Sequence, residues 1–257
     1  MDVRIGKFKT KDGMKLHYEH WSPPAHHGTI VLVHGLGDHC GHYAPFVNYF
    51  TKKGYRLFIY DQRGHGRSEG RRVYAEQFDI FLRDLFDYLR FSLNGTLLET
   101  PLYLVGHSFG GQMALNFLAE HPLLFKAACV VSPYIEKGLP IPPWQEYVGR
   151  RLRNLWPSLQ IKREILENLE DIFDLCPRIK TPLLMLHGSA NRYCCPLATK
   201  RFFKELTLDQ KRLNVYEEKY HELLNEVEKQ NVYKDIENWF VAHADFKPSG
   251  SRRQLPR

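Results

Sequence analysis

The sequence predicts an α/β fold: a mostly parallel central sheet covered by helices on both faces. Three observations predict it. Short, continuous apolar runs recur along the chain, the pattern of strands buried on both faces. Segments with helical apolar spacing separate several of them, as in a sheet built by crossovers. A tight turn, Gly106-His107-Ser108-Phe109-Gly110, joins one apolar run to a helix-forming stretch.

Taken in order, residues 3–21 read as a β-hairpin turning at Lys11-Asp12-Gly13. Residues 29–34, 55–60, 102–105, 127–131 and 182–186 are the buried strands, and 213–216 the last. Phe78, Leu82, Leu85 and Leu89 recur at helical spacing and form one apolar stripe. Residues 112–118 form the helix after the turn, and Val227, Ile236, Trp239 and Phe240 mark a C-terminal helix. Residues 247–257 carry the composition of a disordered basic tail.

With 257 residues and 43% hydrophobic content, the chain can close a substantial core, and residues 1–257 are expected to form a single domain. No apolar run approaches the ~18–20 residues of a membrane span, and residues 1–7 lack the apolar core of a signal peptide. A cytoplasmic protein is therefore expected. The five cysteines (Cys40, Cys129, Cys176, Cys194, Cys195) are odd in number, two of them adjacent, which reads as free thiols in a reducing compartment. The net charge of +7 implies attraction to anionic surfaces. No nucleic-acid module is recognisable and no nucleic acid is expected as partner; most of these charges read as a solvated basic exterior, with peripheral contact with an anionic membrane surface as the alternative.

The turn at Ser108 carries the chemistry. Strand, G-x-S-x-G, helix is the nucleophile elbow, in which the flanking glycines allow a turn too tight for side chains. A serine hydroxyl needs a base, a group to orient that base, and donors for the oxyanion. Beyond Ser108, His221 follows the last strand and precedes the last helix, at the carboxyl end of the sheet where ligands bind. His187 competes but opens His187-Gly188-Ser189, which reads as a turn. The oxyanion donors are expected to be the N–H groups of Phe109, after the nucleophile, and of Leu36, in the loop His34-Gly35-Leu36-Gly37. His34, His39 and His42 lack the carboxylate or cysteine spacing of a metal site, and no metal is expected.

Four motifs together resemble the monoacylglycerol lipase and lysophospholipase branch of the α/β-hydrolases, which the serine aminopeptidases also join. They are His34-Gly35-Leu36-Gly37-Asp38-His39, Asp61-Gln62-Arg63-Gly64-His65-Gly66-Arg67-Ser68, Gly106-His107-Ser108-Phe109-Gly110-Gly111 and Tyr220-His221-Glu222. The resemblance spans roughly residues 3–240. It implies the α/β-hydrolase fold and a cofactor-free ester hydrolase acting on single-chain acyl lipids. It also implies a lid, expected over residues 134–175 and short in this chain. There a proline-rich stretch ending at Trp144 leads to Arg150, Arg151, Arg153 and Trp156, a composition suited to a membrane surface. By the same resemblance, Cys194 lines the substrate pocket and 61–68 is a structural loop.

The chain departs from that pattern in two ways: the lid segment between Pro133 and Pro182 is shorter than that branch implies, and the position of the triad acid is changed. The family places its triad aspartate in an H-G-x-x-D stretch, and here His187-Gly188-Ser189-Ala190-Asn191 ends in an amide. Asparagine carries no charge to stabilise an imidazolium and favours the wrong tautomer. Glu136, Asp38 and Asp209 are the alternative carboxylates. Three readings follow: a serine ester hydrolase attenuated at Asn191, a catalytically silent lipid-binding relative, or a general esterase or thioesterase. Acyl length, head group and oligomeric state stay open.

Overall fold

The computed structural model describes residues 1–72, 75, 77–93, 100–136, 138 and 172–245. Eight strands form one sheet: β1 (Asp2–Lys9), β2 (Lys15–Ser22), β3 (Gly28–Val33), β4 (Tyr55–Tyr60), β5 (Leu102–His107), β6 (Ala127–Val131), β7 (Leu183–Gly188) and β8 (Lys211–Tyr216). Their order is β1-β2-β4-β3-β5-β6-β7-β8. β1 and β2 are the expected hairpin, β2 runs antiparallel to β4, and the pairings from β4 to β8 are parallel.

Alternation along the buried strands divides the core into two layers. Val31, Val33, Leu104 and Met185 face one side, packed beneath α2 (Phe78–Leu93), α3 (Phe109–Glu120) and α4 (Pro196–Glu205). Ile30, Leu32, Val105 and Leu186 face the other, beneath α1 (Ala44–Lys52) and α5 (Lys229–Ala242). Full burial on both faces is why these runs lack the polar alternation of a half-exposed strand.

The order reverses at β3. The chain crosses from β3 to β4 on one side and then returns to β5 on the other. Loops leaving the carboxyl ends of β3 and β5 therefore diverge and open a crevice between them. The loop after β3 carries Leu36, and the turn after β5 carries Ser108.

Several expectations need correction. The sequence reading omitted α1 and α4, both short helices with proline in the first turn, and each packs an apolar face on the sheet. Val227 does not belong to the C-terminal helix; it precedes α5 and is 95% exposed. Strand β5 runs past Val105 through Gly106 and His107. The lid expected over 134–175 falls mainly on residues outside the described ones, as do Trp144, Trp156 and the tail at 247–257. Its described ends belong to the body: Ile135, Ile172 and Leu175 are buried in the core.

Candidate active site

Ser108 sits at φ 54°, ψ −117°, between β5 and α3. Such a conformation is costly for a residue with a side chain and persists only where its surroundings impose it. The glycines impose it. A Cβ on Gly106 would lie 2.4 Å from the Gly110 carbonyl oxygen, and one on Gly110 would lie 2.2 Å from that of Val33. The second contact also shows how closely the elbow presses on the end of β3.

His221 Nε2 lies 3.0 Å from Ser108 Oγ. The loop bearing His221 reaches this position because Gly188 has no side chain: a Cβ there would lie 2.3 Å from the carbonyl oxygens of both Lys219 and Tyr220. Burial pushes the His221 imidazole down to about 3, with His107 and His187 adding to the effect, so the ring is neutral at ordinary pH.

Asn191 is the third member of the group. Its Nδ2 lies 3.0 Å from His221 Nδ1 and 3.1 Å from His187 Nε2. Its Oδ1 accepts the backbone N–H groups of Tyr193 and Cys194 at 3.0 and 3.1 Å. Turning the amide over would set its NH2 against two N–H donors, so the backbone fixes its orientation. Its NH2 then faces His221 Nδ1, and also His187 Nε2, which in addition lies 3.3 Å from the Cys194 carbonyl oxygen. His221 must present a lone pair at Nδ1, which leaves its own proton on Nε2, facing Ser108.

None of the alternative carboxylates takes that place. Glu136 pairs with Arg201. Asp38 accepts from Tyr43 Oη at 2.9 Å and contacts His42 Nδ1 at 2.6 Å. Asp209 precedes β8, and its backbone oxygen accepts from Lys211. Glu222 comes within 4.8 Å of a His221 nitrogen, but it stands 4.0 Å from His107 Nε2.

The loop after β3 folds back as a turn in which Asp38 N–H donates to the Gly35 carbonyl at 3.2 Å. Gly37 has φ 82°, the left-handed third position of a type II turn. The amide of the second residue, Leu36, takes no part in closing such a turn. A Cβ on Gly35 would lie 3.2 Å from that of Ser108, so this turn stands beside the nucleophile. Phe109 opens α3, where the N–H groups lack partners within the helix. Cys194 is buried, with Sγ 4.0 Å from Ser108 Oγ, and burial pushes its thiol up to about 12.

The remaining histidines have separate tasks. His34 Nε2 accepts the Gln62 N–H at 2.9 Å, His39 Nδ1 accepts the Gly41 N–H at 3.1 Å, and His187 Nδ1 lies 2.9 Å from Thr199 Oγ1. The 61–68 segment is held by Asp61, whose carboxylate accepts from Cys40 N and Arg67 N at 2.7 and 2.8 Å. Three residues that sequence reasoning missed also touch the site: His107, Tyr43 and Ser132. The first lay inside a quoted motif without a role, and nothing in the sequence marked the other two.

A family model described as Serine aminopeptidase, S33 matches residues 24–168 and 160–228. The chain is 26% identical to the monoglyceride lipase of Rattus norvegicus over 269 residues, covering 90% of this chain and 88% of that protein. It is 28% identical over 278 residues to an uncharacterized abhydrolase domain-containing protein of Dictyostelium discoideum, covering 93% of this chain but spanning 29% of that protein. Among solved structures, a soluble variant of the monoglyceride lipase from Saccharomyces cerevisiae, in complex with a substrate analog, matches with a TM-score of 0.79 at 19% identity. The match covers 95% of this chain and 96% of that one. The monoacylglycerol lipase of Paleococcus ferrophilus matches with a TM-score of 0.71 at 23% identity, over 95% of this chain and 100% of that one. At these identities the structural matches show a shared fold.

Proposed function

The chain belongs to the serine aminopeptidase S33 family of α/β-hydrolases, and on that premise we propose that it cleaves carboxylic esters of single-chain acyl lipids through an acyl-enzyme on Ser108. One observation carries the reading: a serine in a strained elbow with an imidazole nitrogen 3.0 Å from its hydroxyl. The relatives named as monoglyceride lipases support the lipid substrate class.

In this reading Ser108 Oγ attacks the ester carbonyl and His221 Nε2 takes its proton. The N–H groups of Leu36 and Phe109 receive the oxyanion, and Cys194 lines the wall beside the nucleophile. His221 then returns the proton to the departing alcohol, and water repeats the sequence to release the fatty acid. Asn191 orients the ring but slows the first step. The amide holds the proton on Nε2, where a base needs a lone pair, and supplies no charge to the imidazolium. In a serine protease the same exchange costs roughly 10⁴ in turnover, about 5.5 kcal/mol of transition-state stabilisation. The orientation of the amide also favours the second reading, a lipid-binding relative without turnover. The net charge of +7, with Trp144 and Trp156, supports peripheral contact with an anionic membrane surface.

Incubation with a fluorophosphonate followed by intact-mass measurement tests the proposal. One phosphonyl adduct on Ser108, absent from Ser108→Ala, is expected. Undiminished labelling of Ser108→Ala would remove Ser108 as the nucleophile.

A further inference from the structure

His107, between the elbow glycine and the nucleophile, is buried in a polar cluster behind His221 that has no role in the proton transfer. Four hydrogen-bonding groups define its state. Tyr43 Oη donates its single proton to Asp38 Oδ2 at 2.9 Å. The same oxygen accepts the Gly35 N–H at 3.2 Å and lies 2.9 Å from His107 Nδ1. With its proton committed to the carboxylate, the tyrosine can only accept from the imidazole, so Nδ1 must carry a hydrogen. On the other side of the ring, Nε2 lies 3.3 Å from the backbone carbonyl oxygen of His221. A carbonyl can only accept, so Nε2 must carry a hydrogen too. Asp38 Oδ2, 3.6 Å from Nδ1, is the counter-charge.

The carbonyl of His221 has a second donor. Ser132 Oγ reaches it at 2.9 Å. Ser132 adopts φ 47° at the end of β6, a left-handed conformation that glycine would hold with less strain. A serine there makes sense for its hydroxyl, which meets the loop carrying the base.

We propose that His107 is held as an imidazolium that ties the turn bearing Leu36 to the backbone of His221, and that Ser132 completes the clamp. Both are positioning residues; neither touches substrate. Tyr43 and Asp38 come from the oxyanion side and His221 from the base side, so one charged ring sets the spacing between the two halves of the site. The inference rests on the serine-hydrolase reading for its effect on turnover, but the protonation of His107 stands apart from it.

The groups facing His107 are Asp38 and Tyr43 from the turn after β3, and His221 and Glu222 from the loop after β8, with His42 acting through Asp38. Burial works against a charge on His107, but the nearby Asp38 carboxylate, the charge of Glu222 and the His221 carbonyl outweigh it and raise its proton affinity. A raised histidine keeps its proton below its folded value and loses it as pH rises through that value. The clamp is therefore present below that raised value and is lost as pH rises through it.

Long-range 1H–15N spectra of the full chain at pH 7.5, with His107→Gln to assign the ring, read the protonation directly. Both His107 nitrogens are expected at protonated shifts; one unprotonated nitrogen overturns the proposal. Kinetics on a monoacylglycerol, in an Asn191→Asp background that restores turnover, read the positioning. His107→Gln and Ser132→Gly are expected to lower kcat roughly 10- to 100-fold, the scale of misplacing a catalytic group by an ångström or less, with KM within about twofold. The alkaline limb should flatten in His107→Gln. Ser132→Gly relieves backbone strain while removing the hydroxyl, so it folds at least as well as its parent. Unchanged kcat in Ser132→Gly and His107→Gln, with Ser108 still labelled by fluorophosphonate, overturns the clamp. Loss of Ser108 labelling in the parent protein would instead overturn the serine-hydrolase reading, and the spectra would still decide the state of His107.

Discussion

Asn191 holds His221 from the side opposite the nucleophile, with its amide nitrogen 3.0 Å from Nδ1. Its oxygen is already taken by the N–H groups of Tyr193 and Cys194. A carboxylate would fit the same surroundings. One oxygen would keep both backbone donors, and the other would accept a proton from Nδ1 of His221. Asn191→Asp should therefore raise kcat/KM on a medium-chain monoacylglycerol by roughly three to four powers of ten. Side-by-side steady-state kinetics of the two proteins check this. Equal and appreciable activity in both would mean that another group orients His221.

The same substitution should change the pH profile. In the present chain the base stays neutral down to about 3, because burial and the neighbouring imidazoles oppose its charge. Hydrolysis should thus show no acid limb from His221 between about pH 5 and 8. A carboxylate at 191 favours the imidazolium and raises its proton affinity. The base works only when neutral, so Asn191→Asp should lose activity as pH falls through the raised value. Profiles of kcat/KM for both proteins test the sign, and an acid limb already present in the unaltered chain would contradict it.

Leu36 offers a clean test of the oxyanion donors. Proline suits the second position of a type II turn, and the amide there takes no part in closing the turn. Leu36→Pro should keep the fold, remove the N–H, and lower kcat by about 10²–10³. The comparison belongs in the Asn191→Asp background, with thermal unfolding as the control. A stable variant with undiminished kcat would place the donor elsewhere.

Gly110 ties folding to the site. Its added Cβ would meet the carbonyl oxygens of Val33 and His34 at 2.2 and 2.5 Å, backbone atoms at and just past the end of β3. Gly110→Ala should push the elbow off β3, cost about 1–3 kcal/mol or more, and reduce fluorophosphonate labelling. Denaturant unfolding measures the first effect and intact mass the second. An unperturbed midpoint would show that the elbow has more room than the backbone gives it.

Much of this architecture was legible in the residues. The apolar runs at 55–60 and 127–131 coincide with β4 and β6, because strands covered on both faces are apolar at nearly every position, Arg56 being the exception in β4. The stripe from Phe78 to Leu89 lies on α2, since a helix on one face of a sheet repeats its apolar contacts with the helical period. α1 and α4 are not legible in the sequence because each spans few turns and carries a proline in its first turn, where sequence reads as a break. Glu136 and Asp38 could be offered as replacement acids because sequence does not give distance; the fold commits them to Arg201 and to Tyr43 and His42.

What the sequence determined by itself was local: a turn that only glycines permit around Ser108, strands that water cannot solvate, and an amide where the family carries an acid. These follow from backbone sterics and burial, which act between near neighbours. The tertiary structure decided the rest. It set which way the Asn191 amide faces, because the backbone N–H groups two and three residues on leave its oxygen one choice. It also decided that His107 carries two protons, because Tyr43, Asp38 and the His221 carbonyl converge on it from segments 64 and 114 residues away in the chain. Protonation and tautomer are set by which donors and acceptors meet in space, and only the folded chain brings these together.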